Sequence, residues 1–248
     1  MPPAEYPWAT SAVAGWVRAD GVRRVDHISQ AQVDGRVGVL AVGSNASPAV
    51  LARKLDELLA DEVAIHPVRV SGMTIGHSAH VSTPGYIPAA PAVRPGSWTE
   101  AVLTWLTPAQ LARVDATEPN YRRRTLPAHV RVTTTGPASD FLCPPGLIAQ
   151  TSGSGREGDP EAADPSVVPL HLYDSVHGVL ARNRQVLTLR PQRDVLDWVN
   201  KHLPGPPLQP ADLADPVLQE HLRAQFIQHG LRVESGLDRE PPRAGPAS

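Results

Sequence analysis

Apolar positions along this chain follow two periods, and each switch between them marks an element. Residues 37–42, Val-Gly-Val-Leu-Ala-Val, form a six-residue run that reads as a buried strand. The run breaks at Gly43-Ser44-Asn45. Directly after it, Leu51, Leu55, Leu58 and Leu59 recur at helical spacing on one face. Ser47 suits the N-cap of that helix and Pro48 its first position. Residues 63–70 alternate as a strand, and Pro67 places it at an edge or at a break. From 71 to 97, glycine and proline recur so often that a loop is predicted, long enough to cover a site.

Residues 99–106 read as a further strand. Thr107-Pro108-Ala109-Gln110 then opens a helix through a capping box, with Leu111 and Val114 turned inward. Glu118 precedes Pro119, and a residue before proline is pushed out of the helical region. The helix therefore ends there, with the Glu118 carboxylate free to point elsewhere. A strand is predicted over 129–134, and order resumes at 167–173. Two helices close the chain. One spans 191–203 with Val195, Leu196 and Val199 inward. The other runs from Asp215 to Gly230 with Leu218, Leu222 and Phe226 on one stripe. Residues 11–17 suggest one short helix ahead of all these. The pattern divides the chain into an N-terminal extension (1–35), a main domain (36–203) with a flexible Gly/Ser-rich insertion near 151–166, and a C-terminal helical extension and tail (204–248).

Composition narrows the classes. The chain is 41% hydrophobic and 19% charged, which reads as a folded globular protein. A net charge of −2 gives no general attraction to nucleic acid or to an anionic membrane surface. No apolar run approaches membrane-spanning length, and the first residues lack a basic region followed by an apolar core. A cytoplasmic protein is the expectation. Cys143 stands alone, so neither a disulfide framework nor a thiolate metal cluster is expected.

The turn at Gly43-Ser44-Asn45 aims free backbone N–H groups away from a strand end, where they can hold an anion. It lacks the glycine spacing of a dinucleotide fingerprint and the lysine of a P-loop. His77 and His80 are three apart in a loop with no acidic or cysteine partner nearby, which argues against a metal pair. Asp174, Ser175 and His177 have the residue types of a triad but are nearly consecutive, whereas triads assemble from distant segments. Arg122-Arg123-Arg124 reads as a solvated strand edge. Cys143 has no evident activator and reads as an inert thiol. No metal and no cofactor is expected.

Two segments together resemble the gamma-glutamylcyclotransferase-like superfamily. One is Val42-Gly43-Ser44-Asn45, like the family's aromatic-Gly-Ser-Asn turn after its first strand. The other runs from Leu111 through Val114-Asp115 and Glu118 to Tyr121-Arg122, like its helix ending in a Leu-Asp-x-x-Glu segment. The resemblance covers about residues 37–135. Two positions depart from the family: Val42 stands where an aromatic is usual, and Ala46 where leucine or methionine is. The resemblance implies an α+β fold, a mixed sheet forming a small barrel flanked by helices, with the C-terminal helices as additions. It implies intramolecular cyclisation of a gamma-glutamyl amine or peptide to 5-oxoproline, with release of the amine. Glu118 would be general base and then acid, and Gly43, Ser44 and Asn45 would hold the substrate. The nucleophile belongs to the substrate, so one carboxylate and a turn suffice. The expected partner is a small gamma-glutamyl compound. Two rival readings stay open: a non-catalytic domain of the same fold binding a small acidic metabolite or a protein, and a hydrolase using His177 or Ser175.

Overall fold

A computed structural model describes residues 1–134 and 169–238. The insertion near 151–166, Cys143 and the tail beyond Asp238 lie outside the described residues. The first elements are a hairpin, β1 (Gly15–Arg18) and β2 (Gly21–Arg24), rather than the short helix expected over 11–17. Trp16 and Val17 are both buried, but in different cores. Adjacent buried side chains on opposite faces are a strand's arrangement, not a helix's. A single turn of helix, α1 (Gln30–Val33), follows.

β3 (Val37–Ala41) and α2 (Pro48–Leu55) are the strand and helix expected on either side of the glycine turn. β4 (Val63–His77) and β5 (Ala89–Leu106) are far longer than their patterns imply. Only residues 78–88 connect them, so most of the predicted loop is strand. The breakers act as irregularities within the pair. Gly72 has φ +83° and the register shifts between Ser71 and Met73, a bulge that bends the hairpin. Pro67 lies where the strand flanking β4 changes, β1 pairing up to Ile65 and a later strand from Val68.

After α3 (Pro108–Ala116) come β6 (Tyr121–Thr125), β7 (Arg131–Thr134) and β8 (His171–Ser175). β3 runs antiparallel to β5 and parallel to β8. The mixed sheet has the order β2-β1-β4-β5-β3-β8-β6, with β7 also on β4. The architecture is α+β as expected. The sheet stays open, because among the described residues the end strands β2 and β6 do not pair into a barrel. Instead the bent end of the β4–β5 hairpin meets a second layer, with bridges from Gly76 to Thr188 and from Ser78 to Val179. That layer holds β9 (Val179–Arg182), β10 (Gln185–Val186), α4 (Gln192–His202), α5 (Pro216–Gln228) and β11 (Arg232–Val233).

The sheet's two faces sort by alternation. Val39 and Ala41 pack with Leu51 and Leu55 of α2 and Leu111 and Val114 of α3. Leu40, between them, joins Trp16, Trp105 and Leu172 on the other face. Val195, Leu196 and Val199 of α4 and Leu222 and Phe226 of α5 are buried together, as their spacing predicts. No helix among the described residues is long and apolar enough to cross a membrane.

α3 is held at its start by the predicted capping box. Gln110 N–H donates to Thr107 Oγ1 (3.3 Å), and Gln110 Oε1 accepts the Thr107 N–H (2.9 Å). The same fully buried amide donates to the carbonyls of Leu58 (3.0 Å) and Asp61 (2.6 Å). Gln110→Ala leaves those carbonyls without a donor in a buried place. It is expected to lower stability by about 1–3 kcal/mol, read as a lower urea midpoint at unchanged slope.

Candidate active site

The glycine turn and the end of α3 meet at the edge of β3. Ser44–Ala46 form one 3-10 turn before α2 begins, closed by Ala46 N–H to Gly43 O (2.9 Å) and Ser47 N–H to Ser44 O (3.1 Å). The first amides of such a turn have no partner within it. Space at Gly43 is tight: a Cβ there would lie 3.0 Å from Tyr6 Oη and 3.2 Å from Ala89 Cβ. At the end of α3, Glu118 N–H donates to Asp115 O (3.1 Å), and Glu118 O accepts the Tyr121 N–H (3.0 Å). The backbone of Glu118 is thus tied on both sides as it leaves the helix.

Its side chain turns to the glycine turn. Asn45 Nδ2 donates to Glu118 Oε1 at 3.0 Å. Lys54 Nζ, from the last turn of α2, donates to the same oxygen at 2.5 Å and to Asn45 Oδ1 at 2.8 Å. The three side chains close a triangle in which the lysine's contact with Oδ1 fixes which way the Asn45 amide faces. The Lys54 and Glu118 side chains are 16% and 11% exposed, so the ion pair is shielded on most sides yet open to one. That opening is a cavity of about 540 Å³, lined by Gly43, Ser44, Asn45, Lys54, Glu118 and His80 among others.

All four tyrosines of the chain, Tyr6, Tyr86, Tyr121 and Tyr173, line the same cavity. Burial pushes each phenol up, and the Glu118 carboxylate adds to the rise at all four. Each is therefore a neutral O–H at physiological pH. Three of them hold the wall. Tyr6 Oη accepts the Ala89 N–H (2.8 Å), Tyr121 donates to Ala89 O (2.9 Å), and Tyr173 donates to Asp115 Oδ1 (2.7 Å). Tyr6 stacks on Tyr86 with ring centroids 4.5 Å apart and meets the edge of Trp8 at 5.1 Å. Val42 packs against the buried cluster that Tyr6, Ile75, Tyr86 and Ala89 form, so the position before Gly43 borders the wall that holds Tyr6.

Of the residues singled out in the sequence, the structure brings Gly43, Ser44, Asn45 and Glu118 together and separates most of the others. Asp174 pairs with Arg124 (2.8 Å), away from the Ser175 and His177 side chains. Ser175 Oγ accepts the His177 main-chain N–H (3.1 Å), while the His177 imidazole sits against Asn120 Oδ1 (3.0 Å). No hydrogen bond links the two side chains, so the serine has no base there. His77 is bound to Ile87 O (3.2 Å) and the Arg190 N–H (3.1 Å), and burial holds its pKa down to about 4. Arg123 and Arg124 of β6, an end strand of the sheet, pair with Asp115 and with the buried Asp174.

Lys54 and Tyr6 are missed by sequence reasoning. Lys54 is one of only two lysines in an arginine-rich chain and sits next to an inward-facing leucine. That is a faint signal. Tyr6 gives none, because it lies in an irregular proline-rich segment.

No protein-family model matches the chain, and no curated protein matches it. Solved structures do. The chain is similar to the solution structure of At3g28950.1 from Arabidopsis thaliana, at 16% identity and a TM-score of 0.37, over 72% of this chain and 81% of that one. It is similar to the solution structure of At5g39720.1 from Arabidopsis thaliana, at 13% identity and a TM-score of 0.36, over 67% of this chain and 85% of that one. It is also similar to a structure described as a gamma-glutamyl cyclotransferase, at 13% identity and a TM-score of 0.34, over 84% of this chain and 94% of that one.

Proposed function

We propose that this chain is a cytoplasmic gamma-glutamylcyclotransferase-like enzyme that cyclises a gamma-glutamyl amine or peptide to 5-oxoproline and releases the amine. The observation that supports this reading is the contact of Glu118 with Asn45 of the glycine turn, inside one cavity. The α-nitrogen of the substrate attacks its own γ-carbonyl carbon. A new C–N bond closes the five-membered ring, and the bond to the leaving amine breaks. The α-ammonium first gives a proton to Glu118, which passes it to the leaving nitrogen. The second proton, shed by the ring nitrogen after attack, goes by way of Glu118 to the freed amine, which departs as an ammonium. No protein nucleophile is required. The turn amides and Asn45 hold the head of the substrate folded, which supplies proximity.

Lys54 acquires a task in this scheme. A gamma-glutamyl head is a zwitterion, and the resting Lys54–Glu118 pair is its mirror in charge. On binding, the α-carboxylate replaces Glu118 as the partner of Lys54, and the α-ammonium replaces Lys54 as the partner of Glu118. The shielded charges stay paired throughout, and Glu118 is left against the proton it must remove. Lys54→Ala is expected to raise KM for a gamma-glutamyl substrate by about 10- to 100-fold, the worth of one charge-assisted hydrogen bond. Steady-state kinetics over a wide substrate range checks this.

The direct test is a panel of gamma-glutamyl amino acids, dipeptides and amines incubated with the protein, with 5-oxoproline read by mass. Release from at least one member supports the reading. Binding of 5-oxoproline with no turnover of any member marks instead a non-catalytic metabolite-binding domain of the same fold.

A further inference from the structure

The cyclotransferase scheme leaves unused a line of buried hydroxyls and imidazoles that ends at the cavity. Ser175 Oγ lies 2.6 Å from Ser78 Oγ, and Ser78 Oγ lies 2.6 Å from His80 Nδ1. Ser78 is fully buried, and His80 and Ser175 are nearly so. One direction of the line gives each hydroxyl an acceptor and leaves the imidazole neutral. A main-chain N–H can only donate, and that of His177 donates to Ser175 Oγ (3.1 Å). In that direction Ser175 Oγ accepts the His177 N–H on one lone pair and its hydroxyl donates to Ser78 Oγ. In the same direction Ser78 donates to His80 Nδ1, which accepts. An imidazole that accepts at Nδ1 and is neutral carries its proton on Nε2.

Neutrality has its own causes. Burial, with the His177 imidazole second, holds the His80 pKa down to about 3. The two rings lie 4.5 Å apart, and His177 is held low mainly by its own burial. His80 is one of the residues lining the cavity with Gly43 and Glu118. Its ring is 6.0 Å from that of Tyr121, which in turn holds Ala89 against Gly43. His80 therefore borders the wall that carries the glycine turn.

We infer that His80 Nε2–H is the hydrogen-bond donor that receives the γ-carbonyl oxygen of the substrate as it becomes an oxyanion, a role that rests on the cyclotransferase reading. When the α-nitrogen bonds to the γ-carbon, the carbonyl π electrons move onto oxygen. His80 stabilises that charge without giving up its proton. The electrons return as the bond to the leaving amine breaks, and that amine takes its proton from Glu118. A neutral donor held by buried hydroxyls is already oriented when the charge develops, so the gain appears in the transition state.

The test combines kinetics with nitrogen-15 NMR of the imidazoles. His80→Ala is expected to lower kcat about 10²- to 10³-fold with KM within about threefold, the pattern of a lost oxyanion donor. His80→Gln keeps an N–H donor and is expected to recover about tenfold or more of that loss. In the intact protein, long-range proton–nitrogen correlations are expected to show His80 as the Nε2–H tautomer, and Ser78→Ala to release it into a mixture. A kcat of His80→Ala within about twofold of wild type overturns the inference, and so does an Nδ1–H tautomer in wild type. A wild-type protein that turns over no gamma-glutamyl compound fails the functional reading itself. That outcome is distinct from an active enzyme indifferent to His80.

Discussion

Glu118→Gln is expected to cut 5-oxoproline release by about 10³- to 10⁴-fold while leaving the protein folded. The amide fills the space of the carboxylate, and its oxygen still accepts from Asn45 Nδ2, which stands 3.0 Å from Glu118 Oε1. What is lost is the proton acceptor. Both halves of the reaction depend on it: the ammonium cannot be unmasked as a nucleophile, and the leaving amine cannot be protonated. The change also removes the counter-charge of Lys54, whose side chain is only 16% exposed. Part of any stability loss would come from that orphaned ammonium. Adding Lys54→Met to the glutamine variant separates the two effects. Stability is expected to recover in the double variant and activity is not, as read by thermal melts beside single-turnover assays. Glu118→Gln activity within threefold of wild type would falsify the acid–base role.

Much of this site is legible in the sequence because its parts are set by local rules. A strand ending in Gly43-Ser44-Asn45, a helix opening at Pro48, and the Thr107–Gln110 capping box each follow from neighbours within four residues. Glu118 is placed by Pro119 in the same way. The illegible parts depend on what lies across space. Gly72, Pro91 and Pro95 look like loop residues locally. Yet Pro91 pairs with Ile75 in register, and Gly72 takes the positive φ of a bulge, so the long β4–β5 pairing overrides local preference. Lys54 follows no rule that would turn it toward Glu118, 64 residues away. The gathering of all four tyrosines around one cavity has no periodic trace, since they come from three strand or loop regions and the N-terminal arm.

That arm makes the second large prediction. Tyr6→Ala is expected to cost about 3–5 kcal/mol, the range for emptying a buried aromatic site. The ring is 1% exposed and stacks on Tyr86, and its hydroxyl accepts the buried Ala89 N–H. Tyr6 O also accepts the Gln192 N–H at 3.0 Å, which ties the arm to the start of α4. Tyr6→Phe retains the stacking and loses only the acceptor, so about 1–2 kcal/mol is expected for it. Urea unfolding of the three proteins orders them wild type, Tyr6→Phe, Tyr6→Ala. Equal midpoints for wild type and Tyr6→Ala would show that the arm does not form the cavity wall. Val42 packs on the buried cluster of Tyr6, Ile75, Tyr86 and Ala89, which extends the argument to the turn itself. If Tyr6 fills the room that an aromatic at position 42 otherwise takes, then Val42→Tyr overpacks the wild-type wall, by about 1–3 kcal/mol. In the Tyr6→Ala background the same change has a vacated site to enter and is expected to stabilise. The double-mutant cycle should therefore show a favourable coupling. Strict additivity would mean that the two positions do not share one space, and that Tyr6 supports the turn only through Ala89.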